Sequence, residues 1–99
     1  MSDFNYKMEF VELQKEGSPG GRVKLIVKVT EATKEISRVS IAIDMYGIYS
    51  VLKKEADDLY SLDYFIPFEA PTGNYEVSIW AVDKDYNKGP VTKFDFLVK

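Results

Sequence analysis

Asp83, Asp85 and Asn87 place three side-chain oxygens at alternate positions in the stretch Asp83-Lys84-Asp85-Tyr86-Asn87-Lys88-Gly89. Such spacing in a turn can converge oxygens, and a hard cation such as calcium takes about six to eight of them. The stretch departs from the EF-hand loop at two positions: Lys88 stands where that loop needs Gly, and Phe94 where it needs a bidentate Glu. Asp, Asn and Gly are also ordinary turn residues, because they tolerate positive φ and bond to their own backbone. The segment reads as a turn, with a calcium site as its alternative chemistry. Asp44, Asp57, Asp58, Asp63 and Asp83 could pair as acid and base, as glycoside hydrolysis requires. They fall mostly at the ends of apolar segments, and nothing in the sequence draws two of them into one cleft. The chain has no His and no Cys. Ser-His-Asp triads, thiol nucleophiles, disulfides and Cys/His zinc sites are excluded, and the sequence is not that of an enzyme.

Recognition chemistry has better candidates. Trp80 has the parity opposite to the apolar set of its segment, and Tyr46, Tyr49 and Tyr60 lie where loops or edges are expected. Exposed aromatics on a sheet face can stack on sugar rings or anchor a protein partner. They can equally cover cross-strand neighbours and do nothing more. Net charge is −3 with the signs interspersed, so no basic stripe exists to neutralise a phosphate backbone. The same balance disfavours anionic membranes, and no segment is long and apolar enough to insert in one. Polysaccharides or proteins are the partners left.

These residues must be held by strands. Val23, Leu25, Val27 and Val29 alternate with Lys24, Ile26 and Lys28; Val39, Ile41 and Ile43 with Ser40 and Ala42; Tyr75, Val77, Ile79 and Ala81 with Glu76, Ser78 and Trp80; Phe94, Phe96 and Val98 with Asp95 and Leu97. A period of two marks half-buried strands. Seven Tyr and six Phe agree, since aromatics favour strands over helices. Tyr6, Met8 and Phe10 share one parity and Val11 and Leu13 the other, so the first strand needs a bulge or kink, read as the point where it changes sheets. The breakers are 17–21 (Gly-Ser-Pro-Gly-Gly), 31–35, Gly47, the charged run 53–58, Pro67 to Gly73, and Asn87 to Pro90. The connection 31–35 has residues that could add a helical turn. The spacing predicts one domain over 1–99: an all-β, antiparallel, two-sheet immunoglobulin-like sandwich of about seven strands. Its inner faces are assigned to Val23, Leu25, Val27, Ile41, Ile43, Tyr75, Val77, Ile79, Phe94 and Phe96. A sandwich this small is expected to fill its interior with side chains, leaving little room for a cleft.

The stretch 70–83 (Ala-Pro-Thr-Gly-Asn-Tyr-Glu-Val-Ser-Ile-Trp-Ala-Val-Asp) resembles the E–F corner and F strand of fibronectin type III and bacterial or archaeal Ig-like domains. A Pro/Gly turn there precedes a Tyr whose hydroxyl bonds back to nearby backbone, the tyrosine corner, and Tyr75 occupies that place. Residues 85–91 then resemble the F–G turn and 94–98 a closing G strand. The match covers about the last third of the chain; the Trp usual early in the sheet of a fibronectin domain is missing, so a generic Ig-like module describes it better.

The resemblance implies a non-catalytic module of a larger surface or exported protein, acting as spacer or as a glycan- or protein-binding unit beside neighbouring domains. An extracellular or cell-envelope location follows from the same resemblance. Residues 1–4 carry no apolar stretch of the kind a signal peptide needs. That feature keeps a second expectation open: a stand-alone cytoplasmic or phage-type protein mediating assembly through edge strands or a tyrosine-rich face. The ending of the chain on the strand 96–99 points toward a piece of a longer chain.

Overall fold

The computed structural model describes residues 4–99, and the alternating segments become two packed sheets. Met1, Ser2 and Asp3, read above for a leader segment, lie outside the described residues. One sheet contains β1 (Lys7–Leu13), β3 (Arg22–Thr30), β7 (Leu59–Phe65) and β6 (Lys53–Lys54), in the order β1-β3-β7-β6. The other contains β2 (Glu16–Gly17), β9 (Thr92–Val98), β8 (Gly73–Asp83), β4 (Ile36–Ile43) and β5 (Ile48–Val51), in the order β2-β9-β8-β4-β5. Seven strands have four or more residues, in line with the expected number of about seven; β2 and β6, of two residues each, bring the described residues to nine strands. This is the immunoglobulin-like sandwich.

The first strand resolves the parity change in two steps. Phe10 pairs with Val27 and Glu12 with Ile26, so Val11 is the extra residue of a β-bulge, 58% exposed. The bulge returns Leu13 to the inner face opposite Leu25, still within the same sheet. The change of sheets comes only after Leu13, where the chain crosses over and β2 pairs with β9. This corrects the reading of Val11 as the crossing point: a bulge and a sheet change both re-aim side chains, and the sequence shows only the re-aiming. Because the chain keeps its heading as it crosses, β2 runs parallel to β9, the one parallel pair among the described strands.

A further crossing lies at Leu52, between β5 and β6. Leu52 is buried and its N–H donates to the Val39 carbonyl at 2.9 Å, so an apolar side chain anchors the passage between layers. The connection 31–35 forms bends with Glu31 at φ 54°, not a helical turn; the only helical turn described is a 3-10 turn at Asp44–Tyr46, closed by Gly47 at φ 64°. A left-handed residue there suits Gly, which has no Cβ to clash. All ten residues assigned to the inner faces lie in the core cluster or pack against it. Phe4, Val29, Val39, Leu52, Tyr60, Ile66, Ala81 and Val98 complete the buried set around them.

Candidate functional site

The outer face of the five-stranded sheet carries the aromatic candidates. Its side chains are the second parity of β4, β5 and β8, so Ser40 lies opposite Trp80 and Ala42 opposite both Ser78 and Tyr49. Trp80 is half-buried and Tyr49 is 53% exposed, with ring centroids 6.3 Å apart and tilted by 49°. Val51, also exposed, extends the strip along β5. The Tyr49 and Ser40 hydroxyls share a 2.8 Å hydrogen bond, and Ser40 is fully buried beneath the ring. That bond holds the Tyr49 phenol below its ordinary pKa; burial opposes it and Arg38 reinforces it. Lys88 sets its ammonium 4.1 Å from the Trp80 ring centre, a cation–π contact that occupies part of the indole face. The arrangement is a shallow aromatic platform with a cation over one ring.

Tyr46 and Tyr60 do not belong to that platform. Tyr60 is a core residue, 4% exposed, and its assignment to a surface patch is corrected: in β7 it pairs with Val27 and shares the inward parity of Leu62 and Tyr64. The signal was present, because Tyr60, Leu62 and Tyr64 alternate with Ser61 and Asp63. Tyr46 is exposed but lies on the 3-10 turn, stacked on Tyr75 with centroids 4.8 Å apart. Tyr75 in turn donates to the Pro71 carbonyl at 2.5 Å, the tyrosine corner that the sequence indicated.

The acidic turn is built around Asp83, which is 1% exposed. Its Oδ1 accepts from the Asp85 and Asn87 backbone N–H groups at 2.9 and 2.8 Å, and its Oδ2 accepts from the Asn87 side-chain amide at 2.9 Å. Burial alone would raise its pKa, but the Asn87 and Asp85 donors, helped by Lys34, outweigh it and hold the carboxyl below the usual range. Asn87 thus presents its nitrogen, not its oxygen, to Asp83, while Asp85 is exposed. Chemically this is a carboxylate clamp on a turn. Among the described residues no group of three or more acidic side chains comes together to hold a metal ion.

A second clamp lies at the same end of the molecule. The Tyr6 hydroxyl accepts from the Ala81 N–H at 2.9 Å and donates to the Pro90 carbonyl, tying the start of the chain to the β8–β9 turn. Gly89 lies under this ring, where an added Cβ would come within 2.3 Å of it. At the other end, where β8 begins, the sheets leave a cavity of about 250 Å³. This corrects the expectation of a filled interior. The lining is almost wholly apolar, from Leu25, Ile41, Val77, Phe94 and Phe96 on the walls to Tyr46 and Pro71 at the surface. Nothing in the alternation could show it, because a pattern says which side chains face inward and not whether they meet.

No protein-family model matches the chain, and no curated protein matches it. Solved structures do. A fibronectin(III)-like module of Clostridium thermocellum CbhA is similar over 94% of this chain and 97% of its own, with TM-score 0.67 and 21% identity. A Niemann-Pick type C2 protein from the Japanese carpenter ant is similar over 97% of this chain and 92% of its own, with TM-score 0.62 and 12% identity. The endo-beta-1,4-mannanase from Thermotoga petrophila contains the same sandwich: 95% of this chain matches 19% of that one, with TM-score 0.63 and 13% identity. At these identities the likeness is one of architecture: the chain has the fibronectin III-like, immunoglobulin-like β-sandwich fold.

Proposed function

We propose that this chain is a non-catalytic β-sandwich module of a larger surface or exported protein, and that it binds polysaccharide through the outer face of the five-stranded sheet. The observation that carries the reading is the pair Trp80 and Tyr49, side by side with Val51 among the small or polar side chains Ser40, Ala42 and Ser78. A flat apolar strip of this kind suits the face of a sugar ring, with hydroxyl partners at its margin. The occurrence of the same sandwich as one module of CbhA, and as about a fifth of a mannanase chain, supports a module role. Neither the Asp83 clamp nor the exposed carboxylates supply a paired acid and base, and a catalytic role has no support in the geometry.

A second reading, a spacer without a ligand, is favoured by Lys88, which already stacks on Trp80 and satisfies that ring within the molecule. The two readings separate in one experiment. The domain is titrated with soluble polysaccharides and mixed with insoluble ones while Trp80 fluorescence is followed. Recognition predicts saturable quenching or shift, with Trp80→Ala weakening binding by about tenfold or more. A flat titration against every polysaccharide leaves the spacer.

A further inference from the structure

The cavity between the sheets lies apart from the Trp80 face and asks for a different occupant. Among the described residues only one charged side chain, Glu69, lines it, and it is exposed at the surface. The polar atoms available besides it are the side chains of Gln14 and Ser50 and the hydroxyls of Tyr46, Tyr64 and Tyr75. Tyr75 already donates to Pro71. Water is held in a protein interior by two to four polar partners, and walls of Leu, Ile, Val and Phe offer none. An apolar cavity of roughly 150 Å³ takes benzene, so about 250 Å³ has room for about ten carbon atoms by proportion. At the surface, Tyr46 is 45% exposed, and next to lining residues in the chain stand Met45 and Phe68, exposed by 75% and 76%. These apolar side chains lie outside the core at the end of the sandwich where the cavity reaches the surface, as the entrance of a hydrocarbon-binding site requires.

We propose that the sandwich binds one uncharged, mainly hydrocarbon molecule of about ten carbons between its sheets, entering past Tyr46, with a neutral hydroxyl-type head at the surface. A carboxylate head is disfavoured because, among the described residues, no Lys or Arg lines the cavity and Glu69 would repel it. The test uses 1-decanol and sodium decanoate, each titrated into the whole chain while methyl resonances are followed by NMR. Decanol shifts the methyl groups of Ile41, Ile43 and Val77 saturably below its solubility limit and raises the melting temperature as its concentration rises. Decanoate at pH 7 binds at least about tenfold more weakly, because its charge must enter unpaired. Ile43→Trp, which fills the space, abolishes the methyl shifts in a folded protein; if that variant does not fold, the wild-type titration decides. Unshifted inner methyls, shifts confined to surface groups such as Val51, or a decanoate affinity equal to that of decanol each overturn the proposal. None of these outcomes bears on polysaccharide binding at Trp80.

Discussion

Single side chains close this fold at both ends, and they do so with hydroxyls and a carboxylate. Tyr75 at one end and Tyr6 and Asp83 at the other bond to backbone that would otherwise be loose. Tyr75 was readable in the sequence because Pro71, Gly73 and the alternation after it resemble the E–F corner of fibronectin type III and Ig-like domains, and that resemblance implies its bond. Tyr6 was not, because its partners Ala81 and Pro90 lie far along the chain and no local pattern joins them. In the sequence Asp83 reads as a turn residue or a cation ligand, and in the structure its oxygens accept from Asp85 and Asn87. Its lowered pKa has a definite consequence. A carboxyl held below its unfolded value stabilises the fold fully above about pH 4, and that stabilisation is lost as the pH falls through the lower, folded value. Asp83→Asn is therefore expected to melt lower than wild type at pH 7, with the gap narrowing as pH drops from about 4 to 2. Thermal melts of both proteins across that range check it; a gap that stays constant would remove the carboxylate's charge from the explanation.

Strands were readable where they alternate, and not where they are too short to alternate. Five of the seven longer strands and the ten inward residues follow from parity patterns read along the sequence, whereas β5 and β7 enter only through the expected number of strands, and β2 and β6 have two residues each and no period at all. The sheet-crossing points were hidden for a related reason, since a crossing leaves no mark on parity beyond what a bulge leaves. That distinction is testable in β1. With Val11 deleted, Phe10, Glu12 and Leu13 would face Val27, Ile26 and Leu25 in an unbroken antiparallel ladder, with Leu13 still inward. The deletion should fold and melt within about 5 °C of wild type, the equivalent of about 1 kcal/mol in a domain of this size. Loss of the fold would mean that the extra twist of the bulge, and not only its parity, is needed to bring the chain to its crossing.

The molecule as a whole protects its sheet margins with little material. One sheet ends in the two-residue β6, whose Lys53 and Lys54 are both exposed, and the other ends in the two-residue β2 on one side. Short, lysine-bearing edges resist pairing with another chain. This bears on assembly through edge strands, one of the expectations drawn from the sequence, since that route would have to use β1 with its bulge or the four-residue β5. Replacing both lysines, Lys53→Val with Lys54→Val, is expected to promote association that light scattering detects at concentrations where wild type stays monodisperse; equal scattering would show that the lysines are not the guard. Surface ion pairs contribute far less. Lys7–Glu9, Arg22–Asp63, Lys28–Asp58, Lys93–Glu76 and Lys99–Glu16 are all well exposed, and such pairs are worth about 0–1 kcal/mol each.

The placement of β9 sets the order in which this chain can become a protein. In the five-stranded sheet it lies between β2 and β8, which are separated by more than fifty residues of sequence, and it supplies Phe94, Phe96 and Val98 to the core. While the ribosome is still making residues before 92, β8 has an open margin and β2 has nothing to pair with. Contacts this distant in sequence form slowly, and an unpaired strand edge is exposed to other chains in the meantime. Synthesis from the N-terminus therefore leaves the second layer of this sandwich unable to close until β9 has emerged.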